Sequence, residues 1–242
     1  MTLRRRRFWQ AATTVPEGTG FGVRLDDRPL RTPAGEPLAV PTAALAAAIA
    51  VEWDALDGEI RPELLPFTRA ANVAIDRVAR DPGPVVEAIA DYGGTDLLCY
   101  RAAGPEGLAA RQAAGWDPWL VWSARTLHAP LLAVTGVMHV AQPVSSLAAL
   151  RAAVAAEDEF GLTALHELVA ISGSLVLGLA VARRALDAEQ AWALSRIDET
   201  WQAEQWGLDA EAEAAADLRR ADFLRAARLK ALAEGDFPAP IG

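Results

Sequence analysis

The chain has 242 residues, of which 52% are hydrophobic and 23% are charged. This composition is typical of a folded protein with a sizeable core, and it excludes a disordered chain. The formal net charge of -9 argues against a nucleic-acid-binding protein, because a phosphate backbone would repel an acidic surface.

Membrane insertion and disulfide bonding are also disfavoured. The most apolar run, Leu168 to Ala182, has fifteen residues, and a membrane-spanning helix needs roughly 20. The stretch from Phe8 to Thr14 is too short and polar for the apolar part of a signal peptide. One cysteine, Cys99, cannot form an internal disulfide and is expected to be buried and inert. These features favour a reducing compartment, and the alanine-rich composition with more arginine than lysine suggests a bacterial source, so we expect a bacterial cytoplasmic protein.

The first forty residues carry a β pattern. Phe21, Val23 and Leu25 alternate with Gly, Arg and Asp, a period of two that predicts a half-buried strand. Turns are expected at Asp26-Asp27 and at 33–35. Further short strands are expected at 8–12, 30–32 and 38–40. These segments predict a small antiparallel meander that must pack on something else.

From Pro41 the apolar spacing becomes helical, with Thr42 as the first N-cap. Helices are expected at 42–56, 68–78, 85–92, 107–114, 143–157, 163–185, 187–206 and 209–233, with a restart at Trp116-Asp117-Pro118. Thr95 as an N-cap favours a helix over 95–102, and 131–140 is a possible isolated strand. The predicted fold is α+β and mainly α, with a β domain over 1–41 and a multihelical domain over 42–242.

The stretch SRIDETWQAEQWG, Ser195 to Gly207, is the main candidate for a functional surface. Leu194, Ile197 and Trp201 form one apolar stripe at helical spacing. Trp206-Gly207 predicts a helix end, because glycine adopts a positive φ without a Cβ clash. The polar and aromatic residues off the stripe are candidates for binding a partner: Asp198, Glu199, Gln202, Glu204, Trp206 and Asp209. The alternative interpretation is a solvated helix face beside a core tryptophan.

No catalytic or metal-binding motif is complete. His166-Glu167 begins like a zinc-protease helix, but Ala170 stands where the second histidine ligand should be. Gly18, Gly20 and Gly22 precede a strand and are typical of a hairpin loop, not of a phosphate-binding loop. Asp91 and Asp96 flank two glycines and could form a carboxylate pair, but an ion pair of Asp96 with Arg101 is the preferred interpretation. We expect no metal, no cofactor, no small-molecule substrate and no catalytic residue.

Four segments together carry a family resemblance: FWQAA at Phe8, EWDA at Glu52, GTDLLCYRA at Gly94 and LSRIDETWQAEQWG at Leu194. In order and spacing they resemble the mitochondrial and bacterial chaperones that assemble F1-ATPase by acting on its α subunit. The resemblance runs from about Phe8 to the terminal helix. Family members often have glutamine after EWDA, where this chain has Leu56.

The resemblance implies a chaperone and not an enzyme. Such a protein would bind unassembled F1 α subunit and cover the surface that later meets the β subunit. It also implies a small β domain joined to a helical domain, and it aligns Glu199, Gln202, Trp206 and Gly207 with the family's C-terminal motif.

Two other functions compete with this one. The first is a small-molecule hydrolase or transferase that uses Asp91, Asp96 and one of the histidines in a helical pocket. The second is a helical scaffold with no single client. The first requires a histidine beside a carboxylate in one cleft, and the second predicts that Glu199→Ala leaves partner binding unchanged.

Overall fold

The protein is described here from a computed structural model that covers residues 6–235; the rest of the chain, including the ends of both predicted domains, lies outside the described residues. The fold is α+β and mainly α, as predicted. Helices make up most of it, and a small antiparallel sheet lies near the N-terminus. No helix among residues 6–235 is long and apolar enough to cross a membrane.

The N-terminal sheet has four strands: β1 (Ala12–Glu17), β2 (Gly20–Leu25), β3 (Arg28–Pro29) and β4 (Ala39–Val40). All pairings are antiparallel, and β2 pairs with each of the other three strands. The predicted strand over 8–12 is wrong. There, side chains take the backbone groups that a ladder would use: the Asp26 carboxylate accepts from Gln10 N, and Arg7 donates to Trp9 O.

The helices follow in chain order. Their bounds are α1 (Ala43–Asp54), α2 (Pro66–Val73), α3 (Gly83–Ala90), α4 (Glu106–Thr126), α5 (Val144–Ala155), α6 (Glu159–Ser172), α7 (Leu175–Ala182), α8 (Ala188–Ser195), α9 (Ile197–Trp206) and α10 (Ala210–Ala233). Thr42 caps α1 as predicted, with its hydroxyl oxygen accepting from Leu45 N. A π-helical turn over Ala74–Val78 continues α2.

The chain divides into two compact units. Unit 1 contains residues 6–82, 159–163 and 228–235, and unit 2 contains 83–158 and 164–227. In unit 1, helix α1 packs on strands β1 and β2, and Trp9, Leu25, Leu56 and Leu65 form a buried cluster. In unit 2, Trp116 and Phe223 are the largest fully buried side chains of the core. The predicted domain boundary near Pro41 coincides with the change from strands to helices. That it also separates two folding domains stays a prediction.

The segment 95–102 is not the predicted helix. It forms a 3-10 turn at Leu97–Cys99 and then strand β5 (Tyr100–Arg101). Strand β6 is confined to Val134–Thr135 and pairs in parallel with β5. The strand predicted over 131–140 is therefore shorter than expected, and it is not isolated. Cys99 is buried as predicted, and burial raises the pKa of its thiol to about 12.

Three predicted helices are continuous or broken at places that differ from prediction. Helix α4 continues through Pro118, where a restart was expected. The helix expected over 163–185 is two helices, separated at Gly173, whose φ is +72°. The last helix before the Trp206 corner also breaks, at Arg196, where φ is -114°. There Ser195 Oγ donates to Trp192 O at 2.8 Å, so a side chain takes the carbonyl at the end of α8.

Candidate functional site

Helix α9 lies against helix α4 within unit 2 by way of two glycines. A Cβ at Gly107 would lie 2.7 Å from Trp201 Cη2, and one at Gly115 would lie 2.7 Å from Ile197 Cδ1. Both distances are shorter than non-bonded carbon atoms tolerate. A side chain at either position would have to displace Trp201 or Ile197, so glycine permits the close approach of the two helices. The predicted stripe of Leu194, Ile197 and Trp201 is confirmed, because it faces this interface.

A buried glutamine fixes the register of this interface. Gln112 is 1% exposed; its Oε1 accepts from Ala102 N at 2.8 Å, and its Nε2 donates to Asp198 Oδ1 at 2.6 Å. Trp116 Nε1 donates to Leu194 O at 2.9 Å. Asp198 is half-buried, so it holds α9 in place in addition to the role predicted for it.

Glu204 also has a partner on α4. Arg111 donates from its Nη1 and Nη2 to the two carboxylate oxygens, both at 2.8 Å, and its guanidinium lies 5.0 Å from the Trp201 ring centroid. The hydrogen bonds lower the pKa of Glu204 below its ordinary value. A two-pronged pair of this kind is geometrically specific, so it sets the direction of the second turn of α9.

The outer face of α9 points to solvent. Glu199, Gln202 and Trp206 are all exposed, and Trp206 keeps 79% of its surface open. Glu199 accepts from Arg196 Nη1 at 2.7 Å, one turn away on the same surface. Exposed ion pairs of this kind are weak and easily exchanged for another partner.

The corner after α9 is built as predicted. Gly207 has a φ of +94° and its N–H donates to Ala203 O at 2.9 Å. Asp209 then caps α10, its Oδ1 accepting from Glu211 N at 2.9 Å. Leu208, between the two, is exposed. The backbone on both sides of Trp206 is therefore fixed while the indole itself is open.

Along α10 the exposure changes abruptly. Residues 210–222 are exposed except for half-buried Ala216, whereas Phe223 and Ala226 are buried. Glu211, Glu213 and Asp217 add carboxylates to this exposed part. The corner and the first turns of α10 thus form one acidic surface with a tryptophan at its start, suited to a partner that offers apolar and basic groups.

Asp96, the other acidic candidate, has a structural role. It is fully buried; its Oδ1 accepts from Leu98 N at 3.0 Å and from Ser174 Oγ at 2.8 Å, and its Oδ2 accepts from Val176 N at 3.0 Å. Burial raises the pKa of this carboxyl. The predicted ion pair with Arg101 is wrong, because Arg101 lies 2.8 Å from Asp117 instead.

The histidines lie apart from this carboxylate. His139 Nδ1 is 3.1 Å from the Tyr100 hydroxyl, and His166 pairs with Glu167 next to it. His128, His139 and His166 are all exposed. Within residues 6–235 no group of three or more His, Cys, Asp or Glu side chains is placed to hold a metal ion. The arrangement that the hydrolase alternative requires is not formed by these residues.

Sequence reasoning missed Arg111 and Gln112, the two side chains of α4 that hold the candidate surface. A signal was present in Gly107 and Gly115. Eight residues apart, they lie on one side of a helix, and two small residues so placed indicate the close approach of another element.

The chain as a whole is similar to proteins of a known family. A family model described as ATP12 chaperone protein matches residues 6–124. The crystal structure of Atp12 from Paracoccus denitrificans is 53% identical, with a TM-score of 0.90, over 94% of this chain and 98% of that one. The chain belongs to the ATP12 chaperone family. The resemblance to F1-ATPase assembly chaperones is thereby confirmed.

Two further ATP12 relatives agree. An Asp-to-Lys mutant of Paracoccus denitrificans Atp12p is 52% identical, with a TM-score of 0.91, over 94% of this chain and 97% of that one. Protein atp12, mitochondrial, of Schizosaccharomyces pombe is 24% identical over 214 residues, which are 84% of this chain and 74% of that protein. The ATP12 family therefore includes bacterial and mitochondrial members.

Proposed function

We propose that this ATP12 chaperone binds unassembled F1 α subunit and shields the surface that the β subunit later covers. The proposed contacts are Glu199, Gln202 and Trp206 on the outer face of α9. Asp198, Glu204 and Asp209, the other three candidates, are proposed to hold that face and the following corner in position. The chain acts as a binding protein and not as an enzyme, with no cofactor, and it works in the bacterial cytoplasm, in keeping with its similarity to the Paracoccus protein.

The observation that carries the proposal is the exposure of Trp206. The indole is 79% exposed although Gly207 and Asp209 fix the backbone beside it. An exposed tryptophan on a rigid corner is an expected anchor for a partner, because tryptophan is enriched among the residues that dominate binding energy. A core role is ruled out for this side chain, while Trp116 has that role.

The charge around Trp206 supports the same partner. Large assembly interfaces resemble a domain core cut in half, so a bare subunit interface is largely apolar with some charged residues at its rim. Glu199 is exposed and held only by a surface pair with Arg196. We assign it to a lysine or arginine of the client, and we assign Asp198 and Glu204 to positioning α9 through Gln112 and Arg111.

Release follows from competition for one surface. The β subunit and the chaperone would bind the same part of the α subunit, and the larger permanent interface displaces the smaller transient one. The chaperone then needs no nucleotide or covalent step of its own.

The test is co-expression of this chain with F1 α and, separately, with F1 β, followed by capture without nucleotide. Capture of α alone, with α kept soluble, is the expected result. Capture of β alone would assign the chaperone to the other subunit. Failure to capture either subunit would overturn the proposal.

A further inference from the structure

A long uncharged run lies away from the α9 surface in the sequence. From Thr126 to Leu150 there are 25 consecutive residues without Asp, Glu, Lys or Arg, in a chain that is 23% charged and carries a net charge of -9. The run includes β6 and ends inside α5. Since charged side chains normally cover loops that face water, an uncharged exposed segment needs a separate explanation.

The loop 132–142 within this run has a fixed base. Gln142 is buried, and its side-chain amide bonds the backbone of Leu132 as a paired strand would. Its Oε1 accepts from Leu132 N at 2.8 Å, and its Nε2 donates to Leu132 O at 3.0 Å. Gly136 N donates to Arg101 O at 2.8 Å. The two ends of the loop are thus held together, as in a compact Ω-loop.

The tip of the loop is apolar and open. Val137 is 94% exposed and Met138 is 79% exposed, and Val144, at the first position of α5, is 83% exposed. On one side the Tyr100 hydroxyl and His139 Nδ1 meet at 3.1 Å. A fixed loop that holds two large apolar side chains in water is typical of a binding surface, and methionine adapts readily to different partner shapes.

We propose that loop 132–142, with Val137 and Met138 at its tip, is a second contact with the client and docks on an uncharged apolar part of the F1 α subunit surface. This inference rests on the proposed function. The charge distribution selects the occupant: the acidic α9 corner suits the basic part of a bare interface, and the uncharged loop suits its neutral apolar part.

Other occupants fit the run less well. Apolar segments that insert into membrane surfaces usually carry Lys or Arg beside them, because lipid headgroups are anionic. Arg125 and Arg151 bound the run, but neither belongs to loop 132–142, and Arg151 is paired with Glu87. A second copy of the chain would bring a second net charge of -9 towards the first. Both remain outcomes that the experiment separates.

The experiment compares three variants in the co-expression and capture assay with F1 α. V137D/M138D places two charges at the tip, V137L/M138L keeps it apolar, and Val51→Asp is a control that places one charge at an exposed apolar position elsewhere. Val51 is an exposed apolar residue of α1 in unit 1, 67% exposed. Thermal unfolding of all three should match that of the parent chain, because exposed positions contribute little to stability.

We expect V137D/M138D to capture roughly tenfold less α subunit or lower still, as for loss of a binding hot spot. V137L/M138L and Val51→Asp should capture as much as the parent chain. The V137D/M138D defect should persist at high salt, unlike a defect at Glu199, because apolar contacts are not screened.

The outcomes separate this inference from the proposed function. If the parent chain captures no α subunit, the proposed function fails. If the parent chain and V137D/M138D capture equal amounts, the function stands and the loop inference is overturned. Two further assays test the other occupants while capture is unchanged. If the parent chain binds vesicles of phosphatidylcholine and phosphatidylserine and V137D/M138D does not, the loop binds a membrane surface. If the parent chain self-associates in sedimentation analysis and V137D/M138D does not, the loop binds a second copy of the chain.

Discussion

Gln112 and Asp198 are 86 positions apart in sequence and share a hydrogen bond of 2.6 Å. The same amide accepts from Ala102 N, so one buried side chain links strand β5, helix α4 and the start of α9. The outer face of α9 is therefore positioned by a buried residue of another helix.

Gln112→Ala should destabilise the protein by about 1–3 kcal/mol, because Ala102 N and the Asp198 carboxylate lose their partner in a buried region. Urea unfolding measures the change in the free energy of unfolding. Gln190→Ala, on the exposed face of α8, is the control and should change it by less than about 0.5 kcal/mol. A Gln112→Ala protein as stable as the parent chain would show that Gln112 does not fix the register of α9 on α4.

Glu199→Lys should weaken capture of F1 α subunit and leave folding intact, because an exposed charge reversal changes stability by under about 0.5 kcal/mol. A basic client group that meets Glu199 would meet a lysine instead. The loss should shrink as salt is raised. Glu63→Lys, exposed in unit 1, makes the same change in net charge and should not affect capture. Equal capture by the two variants would take Glu199 out of the interface.

Trp53→Arg should destabilise unit 1 strongly, although Trp53 is half-buried and not fully buried. Its ring packs edge-on against Trp9 at 5.3 Å, and its Nε1 donates to Thr68 Oγ1 at 3.0 Å. Arginine loses both contacts beside the Trp9 cluster. We expect a loss of about 3 kcal/mol or more in thermal or urea unfolding. Trp53→Phe keeps the ring and should lose only about 1 kcal/mol; a native-like Trp53→Arg protein contradicts this role.

Gly107→Ala should disturb the packing of α9, because the new methyl would lie 2.7 Å from Trp201 Cη2. Overpacking of this kind costs about 1–3 kcal/mol, and displacement of Trp201 should also weaken the Arg111–Glu204 pair. Near-ultraviolet circular dichroism reports the tryptophan environment. Gly94→Ala is the control, because a Cβ there meets nothing within 4 Å. An unchanged spectrum and unchanged stability for Gly107→Ala would show that the interface of α4 with α9 accommodates the added methyl group.

Asp96→Asn should be destabilising by about 1–3 kcal/mol, because an amide NH₂ cannot accept all the bonds that the carboxylate accepts. The pH dependence has a definite sign. Since burial raises the native pKa of Asp96, the native state binds this proton at higher pH than the unfolded chain does. The parent chain should therefore gain stability relative to Asp96→Asn as pH falls through that raised pKa. Asp91→Asn, at an exposed position, is the control and should change stability by less than about 0.5 kcal/mol.

Local patterns were enough to predict the features that depend on neighbouring residues. The stripe of Ile197 and Trp201, the end of α9 at Gly207 and the N-cap at Asp209 all follow from spacing within one or two turns. The mainly α fold with a small N-terminal sheet was predictable for the same reason, because each element shows its own period.

The missed features depend on partners far away in sequence. The helix expected over 163–185 breaks because the Ser174 hydroxyl oxygen accepts from Leu177 N at the start of α7 while donating to Asp96, 78 positions earlier. Asp96 is committed to that cap, so it forms no ion pair with Arg101. Likewise Gln112 gave no local sign of its bond to Asp198. Spacing within one segment holds no information about such pairings.

The exposure of residues 210–222 has a consequence for motion. A helix segment with little buried surface opens locally at a much lower free energy than the packed remainder from Phe223 onward. Backbone amides in this segment should therefore exchange with deuterium long before those of the inner half, without global unfolding. Arg219 and Arg220 tie the inner part of this segment to Ile171 O and Glu189, so exchange should be fastest over the first turns of α10, and a client bound at the proposed surface would slow it there.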